Sequence, residues 1–444
     1  MRLTWQASCS STRPSISLGS LLLNERGVGY YRRMRQTGLF TKTAKNVPKD
    51  EVAKNAILLI RAGYIDKVMA GVYSLLPLGL LTIERINAVI REEMQRIGGV
   101  ELLLTSLQNP DVWKKTSRWE GDVWFKSVIN SGGETGFGWT QEEEIAALMR
   151  SHIQSYKDLP RSLFQIQTKF RNEERAKSGI MRGREFLMKD LYSFHSSEND
   201  LSRFYEECAI GYERIFARVG LGISTYRTVA SGGAFAKYSH EFQTLCEAGE
   251  DIIYVHEGKK IAVNKEVCTN EVLADLGIAR TELTEHKAIE VGNIFKLGAR
   301  FSEPLGLLFT DEKGERKPVL MGSYGIGPGR VMGAIVETHA DERGLLWPEE
   351  VSPFHYHLIL IGSKRTEVRA RADALYAALK ARGKRVFYDD REDVQAGEKF
   401  ADAELLGFPE AIIVSEKTLQ EDRYEVKERR GGGSRSFREQ ELIG

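Results

Sequence analysis

Apolar residues recur at intervals of three and four in the first quarter of the chain, and this spacing predicts a helix. The residues on its apolar face are Ile83, Ile86, Ile90, Met94 and Ile97. Gly98-Gly99 follows directly and marks the end of the helix. The apolar run over residues 100–104 then predicts a strand.

A second strand is predicted over residues 163–170, where apolar and polar residues alternate. The alternation places Gln165, Gln167 and Lys169 on one face and apolar side chains on the other. One face exposed to water is typical of antiparallel sheets. The pattern therefore predicts a mixed α and β region built on antiparallel strands, unlike the parallel core of dinucleotide-binding folds.

Near Trp347-Pro348 the pattern changes, because short buried strands begin to alternate with helices. The predicted strands cover residues 358–361, 385–388 and 411–414, and the predicted helices cover residues 367–381 and 401–406. Such alternation indicates a separate small α/β unit with a largely parallel sheet, beginning at about residue 350. The glycine-rich run 431–434 predicts a flexible turn.

Composition narrows the class of protein. The chain has 444 residues, 42% hydrophobic and 28% charged, which is typical of a globular protein with two or three domains. No run of eighteen apolar residues occurs in the sequence, so no membrane span is expected. A formal net charge of +1 gives no general attraction to nucleic acid, so RNA binding would depend on local basic patches. The cysteines are scattered without a C-x-x-C pair, so no zinc site is expected.

Residues 1–33 differ from the rest of the chain, because they are rich in serine and arginine and contain a single acid, Glu25. This composition resembles a transit peptide, which would place the protein in a mitochondrial or plastid matrix. The alternative is an upstream start codon with Met34 as the true first residue. We favour the second interpretation, which predicts a non-structural extension and a cytoplasmic protein.

The densest group of candidate functional residues lies between residues 170 and 190. A polar strand, a basic loop and a returning strand predict a hairpin whose arginines are Arg171, Arg175, Arg182 and Arg184. Guanidinium groups bind phosphate and carboxylate through paired hydrogen bonds, and Phe186 can stack on a base. The alternative is a solvated hairpin with scattered surface charge.

The pattern F-R-x-E, a loop and R-x-x-x-F resembles motif 2 of class II aminoacyl-tRNA synthetases. The string R-G-R-E-F-L-M-K-D-L-Y-S-F-H over residues 182–195 resembles the bacterial-type prolyl-tRNA synthetases. Further strings that extend the resemblance from about residue 34 to the C-terminus lie at residues 39–43, 54–63, 239–243 and 290–295. The resemblance implies an α+β catalytic domain built on an antiparallel sheet over residues 34–350. It also implies a C-terminal α/β anticodon-binding domain over residues 351–444.

The glycine-rich run 321–330 resembles motif 3 of the same family, although taken alone it indicates only a tight turn before a helix. By resemblance, Arg330 lies over the adenine opposite Phe186 and near the γ-phosphate. A cation–π contact of this kind is worth on the order of 1–2 kcal/mol when desolvated. Gly329 stands where the family more often has serine or threonine.

The segment 138–143, G-W-T-Q-E-E, resembles the family's amino-acid-binding loop, which more often reads G-P-T-H-E-E. The resemblance implies that Thr140 and Glu142 bind the imino group of proline, and that Phe194 and His195 help to form the wall of the proline pocket. From composition alone, Thr140 and Glu143 could instead form a capping box at a helix start.

The resemblance also implies the catalytic roles. Arg171 and Arg330 are the catalytic residues, with Arg171 bridging the α-phosphate of ATP and the carboxylate of proline. The further ATP-binding residues are Glu173, Arg182, Phe186, Glu241 and Gln243. Glu241 is also a candidate ligand of Mg²⁺; for Glu241 and Gln243 a salt bridge on the strand face remains the alternative.

Partners follow from the same resemblance: proline, ATP and tRNA(Pro), with Asp390, Arg391 and Lys399 contacting the anticodon. Taken alone, this last segment indicates an ordinary charged surface helix. A homodimer is expected, although Thr105 occupies the position where class II enzymes usually have a proline. Residues 199–320 are too few for the large editing insertion of many bacterial relatives, so cis editing of alanyl-tRNA is not expected.

Three rival functions were compared with this interpretation. A regulatory paralogue without catalysis would lack the ATP arginines, which are present here. An enzyme of another class II specificity, such as threonine or glycine, would share the C-terminal domain, but a threonyl enzyme would need a zinc site with Cys and His ligands, and no suitable cluster occurs in the sequence. A plain RNA-binding module is disfavoured by the near-zero net charge.

Overall fold

The computed structural model describes residues 34–48, 51–174, 176–232, 238–362 and 364–444. The predicted extension at residues 1–33 and the predicted loop arginine Arg175 lie outside the described residues. No helix in these ranges is both long enough and apolar enough to cross a membrane.

The α-helices of the described chain are α1 Lys54–Arg61, α2 Pro77–Arg96, α3 Pro110–Lys114, α4 Glu142–Met149, α5 Glu198–Arg218, α6 Asn270–Leu276, α7 Ser302–Leu305, α8 Pro328–His339, α9 Thr366–Ala381, α10 Ala396–Leu406, α11 Glu416–Glu421 and α12 Glu439–Ile443.

The strands up to the first glycine-rich motif are β1 Met34–Arg35, β2 Ile65–Met69, β3 Val72–Leu75, β4 Val100–Glu101, β5 Leu107–Gln108, β6 Phe125–Val128, β7 Glu134–Phe137, β8 Arg161–Phe170, β9 Glu185–His195, β10 Thr225–Ser231, β11 Tyr238–Leu245, β12 Asp251–His256, β13 Ile261–Asn264, β14 Thr284–Gly298, β15 Leu308–Thr310, β16 Arg316–Pro318 and β17 Leu320–Ile326. The later strands are β18 Tyr356–Leu360, β19 Val386–Asp389, β20 Glu410–Val414, β21 Tyr424–Glu428 and β22 Ser434–Phe437.

A nine-stranded sheet organises the larger part of the molecule, in the order β11-β10-β13-β12-β14-β17-β9-β8-β4. Its central pairings, β14 with β17, β17 with β9 and β9 with β8, are antiparallel, as predicted. Only β4 with β8 and β10 with β13 run parallel among its described strands. Helices α2, α5 and α8 pack their apolar sides into one buried core with this sheet.

The predicted isoleucine helix is α2, and its apolar face is buried in that core. The predicted strand over residues 100–104 is confirmed only for Val100–Glu101. It ends early because the backbone of Leu104 bonds to side chains instead of to a strand: its N–H donates to Gln165 and its C=O accepts from Gln167.

The C-terminal part forms a six-stranded sheet in the order β1-β19-β18-β20-β21-β22. Strands β19, β18 and β20 are parallel, as predicted, and alternate with α9 and α10. Strands β21 and β22 are antiparallel additions, joined by a turn in which Gly431 and Gly432 have positive φ. The N-terminal residues Met34–Arg35 also join this sheet as β1, parallel to β19.

Candidate active site

The β8–β9 hairpin places the loop at residues 171–184 at one end of the central sheet. The antiparallel ladder continues as far as the pair Phe170 and Glu185, so the loop emerges where the ladder ends. The backbone N–H of Arg171 donates to the carbonyl oxygen of Arg184 at 2.8 Å and closes the loop at its base.

Strand β17 and helix α8 supply a second arginine. Gly327 is the N-cap of α8, so Arg330 lies in the first turn. Its Nη1 donates to the carbonyl oxygen of Glu290 at 2.8 Å and lies 3.0 Å from the carboxylate of the same residue, while Nε donates to the carbonyl of Met181 at 2.9 Å. These bonds hold the guanidinium beside the β8–β9 loop.

One cavity collects side chains from both segments. The residues that the sequence pattern singled out and that line it are Arg171, Glu173, Arg182, Phe186 and Arg330. Gly292 and Gly325 line another side of the cavity, and a Cβ on Gly325 would lie 2.5 Å from Cε of Met188. Met188 therefore packs closely against the backbone of β17, and a side chain larger than glycine at residue 325 would collide with it.

Three guanidinium groups line the cavity together with the carboxylates of Glu173 and Glu290. The guanidinium of Arg171 lies 5.1 Å from the ring centre of Phe186, and its Nε donates to the carbonyl of Trp139 at 3.3 Å. Burial, and then the neighbouring Arg330, lower the pKa of Arg171. Nη1 of Arg182 lies 2.6 Å from the carboxylate of Glu250. An anion that enters this cavity can accept hydrogen bonds from several guanidinium groups.

A group of acids lies beside these arginines. Gln243 donates through Nε2 to Glu241 at 2.9 Å and to Asp251 at 2.8 Å. Burial, and then the nearby Glu290, raise the pKa of Glu241 to about 8. The strand-face salt bridge considered for Glu241 is therefore wrong for the described residues, because carboxylates and amides surround it instead of cations.

These acids fit a magnesium ion that is shared with a nucleotide. No group of three or more His, Cys, Asp or Glu suited to a metal is found in the described part of the chain. Mg²⁺ usually takes only one or two protein carboxylates and completes its shell with water and substrate phosphates. The raised pKa values of Glu241 and Asp251 indicate carboxylates that a cation would stabilise in the charged form.

A second site adjoins the cavity at the start of α4. The hydroxyl of Thr140 donates to the carboxylate of Glu142 at 2.7–2.9 Å, and the hydroxyl of Ser323 on β17 donates to it at 3.1 Å. The capping box considered for Thr140 is wrong, because the N-cap of α4 is Gln141. The hydroxyl of Thr140 binds the carboxylate of Glu142 instead of a backbone N–H of the helix. Glu142 also acts electrostatically on Arg171, so the two sites are close.

Arg118 belongs to this second site, and the sequence analysis missed it. Its Nη1 contacts Glu142 at 3.3 Å and Glu143 at 3.0 Å, and its guanidinium lies 4.4 Å from the ring centre of Trp139. Arg118 precedes a buried tryptophan, Trp119, in a segment without helical or strand periodicity. An arginine among tryptophans was the only signal of its role.

The polar face predicted for β8 is buried, so the expectation of a face exposed to water is wrong. Lys169 Nζ lies 3.0 Å from Asp190 on β9, with both side chains almost fully buried. Gln165 donates to the same aspartate at 2.9 Å, and both Gln165 and Lys169 donate to the side chain of Gln141. These bonds tie the amino-acid loop to the sheet, with Gln141 standing where the family more often has histidine.

Phe194 and His195 lie on opposite faces of β9, because neighbouring residues of a strand alternate. Phe194 packs with Tyr192 in the core next to α4. His195 faces α5, where Nδ1 lies 2.6 Å from Asp200 and the ring lies 5.6 Å from that of Phe204. The prediction that Phe194 and His195 both help to form the wall of the proline pocket is therefore wrong for His195.

The three predicted anticodon residues have partners inside the protein. Asp390 accepts from the N–H and hydroxyl of Thr37, and Arg391 pairs with Asp389 at 2.7 Å. Lys399 is 2% exposed and donates to the carbonyl of Arg391 at 2.6 Å. For Lys399 this burial contradicts the predicted contact with the anticodon; for Asp390 and Arg391 the contact stays a prediction.

Comparison with known proteins identifies the family of each part of the chain. Residues 125–339 match the model of the tRNA synthetase class II core domain (G, H, P, S and T), and residues 356–444 match the anticodon binding domain.

Solved structures share the fold. The structure of prolyl-tRNA synthetase from Cryptosporidium parvum, in complex with L-proline and AMP, superposes with a TM-score of 0.72 at 18% identity, over 88% of this chain and 73% of that one. The enzyme from Giardia lamblia, in complex with prolyl-adenylate, gives 0.72 at 20% identity over 87% and 75%. The fold and site thus define a class II aminoacyl-tRNA synthetase.

The sequence relatives narrow this class. The proline–tRNA ligase of Caulobacter vibrioides is 36% identical over 425 residues, covering 90% of this chain and 96% of its own length. That of Paracoccus denitrificans is 37% identical over 438 residues, covering 92% and 97%. The chain therefore belongs to the proline–tRNA ligase family, also called the prolyl-tRNA synthetases.

Proposed function

We propose that this protein activates proline with ATP to form prolyl-adenylate and then transfers the prolyl group to tRNA(Pro), releasing pyrophosphate and AMP. The observation that supports this best is the position of Glu142 next to the arginine-lined cavity. A site for a cationic amine thus adjoins a site for polyphosphate, as a reaction between an amino acid and ATP requires.

In this reaction the carboxylate of proline attacks the α-phosphorus of ATP, and no covalent intermediate with the protein is needed. Arg171 bridges the attacking carboxylate and the α-phosphate, where negative charge builds up. Arg330 and Arg182 hold the β- and γ-phosphates, Phe186 stacks on the adenine, and Glu173 accepts a hydrogen bond from its amino group. Catalysis is then a matter of position and electrostatic stabilisation.

Thr140 and Glu142 bind the imino group of proline, and Phe194 supports the pocket wall from the core behind it. Glu241 and Gln243 contact ATP, and Glu241 would hold a Mg²⁺ ion. Such an ion would supply positive charge near the departing pyrophosphate. The 3′-terminal ribose hydroxyl of the tRNA then attacks the adenylate.

ATP–pyrophosphate exchange with each of the twenty amino acids tests the proposal. We expect exchange with proline and weak exchange with alanine, because a hydrophobic pocket separates such neighbours by only about 1–3 kcal/mol per methylene. Exchange with another amino acid and not with proline would contradict the function.

Arg171→Ala should abolish exchange while the protein stays folded, because the variant loses the group that bridges both reacting molecules. Circular dichroism and a thermal melt check the fold. Retained exchange in a folded variant would reject the role given to Arg171 without rejecting the overall reaction.

We assign the catalytic domain to residues 34–350 and the anticodon-binding domain to residues 351–444. Two observations support the division: the two family models match on either side of it, and a separate six-stranded sheet lies beyond it. Met34–Arg35 is an exception, since it pairs with that second sheet. The cytoplasm stays the predicted location, with a mitochondrial or plastid matrix as the alternative.

We further propose a homodimer that forms around the edge strand β4. Three large apolar side chains on β4, in the segment after it and on β5 are exposed, with Val100 at 61%, Leu103 at 73% and Leu107 at 54%. Such patches are typical of interaction sites. Thr105 fits this segment, because its N–H donates to Glu144 at 3.0 Å and a proline would lack this donor.

Leu103→Asp should therefore shift the protein from dimer towards monomer in light scattering after gel filtration. Ile223→Asp is the matched control, since Ile223 is 92% exposed but lies after α5, away from β4. A monomeric native protein, or equal effects of the two changes, would reject this interface.

A further inference from the structure

Arg118 lies between two adjacent buried carboxylates at the start of α4. Its Nη1 is 3.3 Å from Oε2 of Glu142 and 3.0 Å from Oε1 of Glu143. The side chains of Glu142 and Glu143 are 4% and 0% exposed. Burial raises the pKa of Glu143 to about 7, an effect that Arg118 opposes and Glu142 reinforces. Two like charges this close and this dry depend on a cation to stay ionised together.

Aromatic rings hold the guanidinium in this position. It lies 4.4 Å from the ring centre of Trp139, 5.1 Å from that of Phe301 and 5.3 Å from that of Trp113. The first of these rings belongs to the amino-acid loop itself and stands where the family more often has proline. Trp139 therefore couples the position of Arg118 to that of the loop.

We propose that Arg118 is a positioning residue that neutralises Glu143 and so leaves one negative charge on Glu142 for the substrate's cationic amine. This inference rests on the proposed function, in which Glu142 binds the secondary ammonium of proline. The two carboxylates and the guanidinium sum to one negative charge, which matches the single positive charge of that ammonium. The other titratable groups around this pair are Lys169 on β8, Arg171 directly after β8, and Asp190 and Tyr192 on β9.

The proposal predicts an unusual relation between two substitutions. Arg118→Met leaves two adjacent buried carboxylates that share one proton, so Glu142 carries only part of the negative charge and binds a cationic amine less well. In Glu143→Gln, Arg118 pairs with Glu142 alone, and the guanidinium cancels the negative charge of Glu142. The double variant restores a single negative charge on Glu142, so it should bind proline better than either single variant.

Steady-state ATP–pyrophosphate exchange tests this relation through the KM for proline. Each single change should raise this KM about tenfold or more, with a smaller change in kcat and with the KM for ATP held within about twofold. The double variant should recover to within about threefold of the native KM. A double variant as poor as the worse single variant would overturn the proposal, because lost packing alone gives no recovery.

Two further variants separate charge from folding. Arg118→Lys keeps the cation but loses the planar stacking and should give an intermediate KM for proline. Arg214→Met removes a partly buried arginine that pairs with Glu93 at 2.7 Å between α5 and α2, and it should leave this KM unchanged. If the native enzyme shows no exchange with proline, the proposed function fails; if native exchange is normal and Arg118→Met leaves the KM unchanged, only the role of Arg118 fails.

Discussion

Glu241 shows how one partly buried side chain can report on the ligand that its site is built for. Its closest described partner is the amide of Gln243, and the acids Asp251 and Glu290 lie around it. Its ordinary pKa of 4.5 is raised to about 8 by burial and by these acids. The folded protein therefore keeps a proton on Glu241 at a pH where the unfolded chain has lost it.

This difference predicts a pH dependence of stability. Between about pH 4.5 and pH 8 the folded state binds more protons than the unfolded state, so the free energy of unfolding falls as pH rises. Glu241→Gln removes that dependence, and its stability relative to the native protein should rise across this range. Urea unfolding at several pH values measures the difference, with the exposed Glu247→Gln as control. A difference that does not change with pH would contradict the protonated state of Glu241.

The sequence predicted site residues well where they belong to a recognisable motif. It predicted them poorly where their partners lie far away in the chain. Arg171 and Arg330 were found because each lies in a recognisable string. Arg118 was missed because its partners are 24 and 25 residues away in sequence, and only folding brings them together. His195 was placed wrongly because the string was followed without its strand alternation, which puts it on the face opposite Phe194.

At the scale of elements, the polar face of β8 shows the limit of periodicity. Alternation correctly predicted which side chains share a face, and Gln165 and Lys169 do share one. Periodicity cannot tell water from a buried polar network as the partner of that face. The network forms because folding places Asp190 of β9 and Gln141 of the loop before α4 against this face of β8. The buried polar layer places the amino-acid loop over the sheet, so the failed prediction marks a functional surface.

Helix α2 contains a glycine, Gly79, that is required by a contact with a chain segment outside the helix. A Cβ on Gly79 would lie 2.0 Å from the carbonyl oxygen of Tyr64, an atom that also accepts from the N–H of Leu76 at 2.9 Å. Helix propensity alone would favour alanine there by about 1 kcal/mol. The clash with backbone outweighs this gain, because neither chain segment can move without breaking that hydrogen bond.

Gly79→Ala should therefore lower the free energy of unfolding by about 1–3 kcal/mol, as overpacked sites do. Gly211→Ala in α5 is the matched control, because its Cβ would meet atoms only at 3.7 Å or more. The control should stabilise the protein by about 0.5–1 kcal/mol. Chemical denaturation of both variants measures the two effects, and equal signs would contradict the role of the close approach.

At the scale of the whole molecule, the two sheets are joined through backbone as well as side chains. The N–H of Leu345 donates to the carbonyl of Leu405 at 3.2 Å, and the N–H of Trp347 donates to that of Gly407 at 3.1 Å. Apolar side chains from both sides of residue 350 belong to one continuous core. The boundary was predictable because the strand and helix pattern changes there. The tight docking was not, because no local pattern encodes contacts between distant segments.

Arg429, which follows β21, adds side-chain hydrogen bonds between the two parts of the molecule. Its two terminal nitrogens donate to the two carboxylate oxygens of Asp341 at 2.6 and 2.8 Å, and its Nε donates to the carbonyl of Glu404 at 2.9 Å. The hydrogen bonds from Arg429 hold the pKa of Asp341 well below its ordinary value of 3.8. The pair stabilises the folded state above this value, and its contribution is lost as pH falls below it.

Arg429→Met should lower the free energy of unfolding by about 1–3 kcal/mol near neutral pH, because three hydrogen bonds from a charged group are lost. The deficit relative to the native protein should stay constant above about pH 5 and shrink as the pH is lowered from about 4 towards 2, because the unfolded chain then takes up a proton on Asp341 that the ion pair with Arg429 keeps off in the native protein. Equilibrium unfolding across this range, followed by tryptophan fluorescence, measures the deficit.

Arg435→Met is the control for Arg429→Met. Arg435 pairs with Glu410 at 2.8 Å at the exposed far edge of the same sheet, where an ion pair contributes about 0–1 kcal/mol. Because the catalytic sheet and the C-terminal sheet share one core, the loss of Arg429 should destabilise both in a single transition, and two separated transitions would show that the sheets unfold independently.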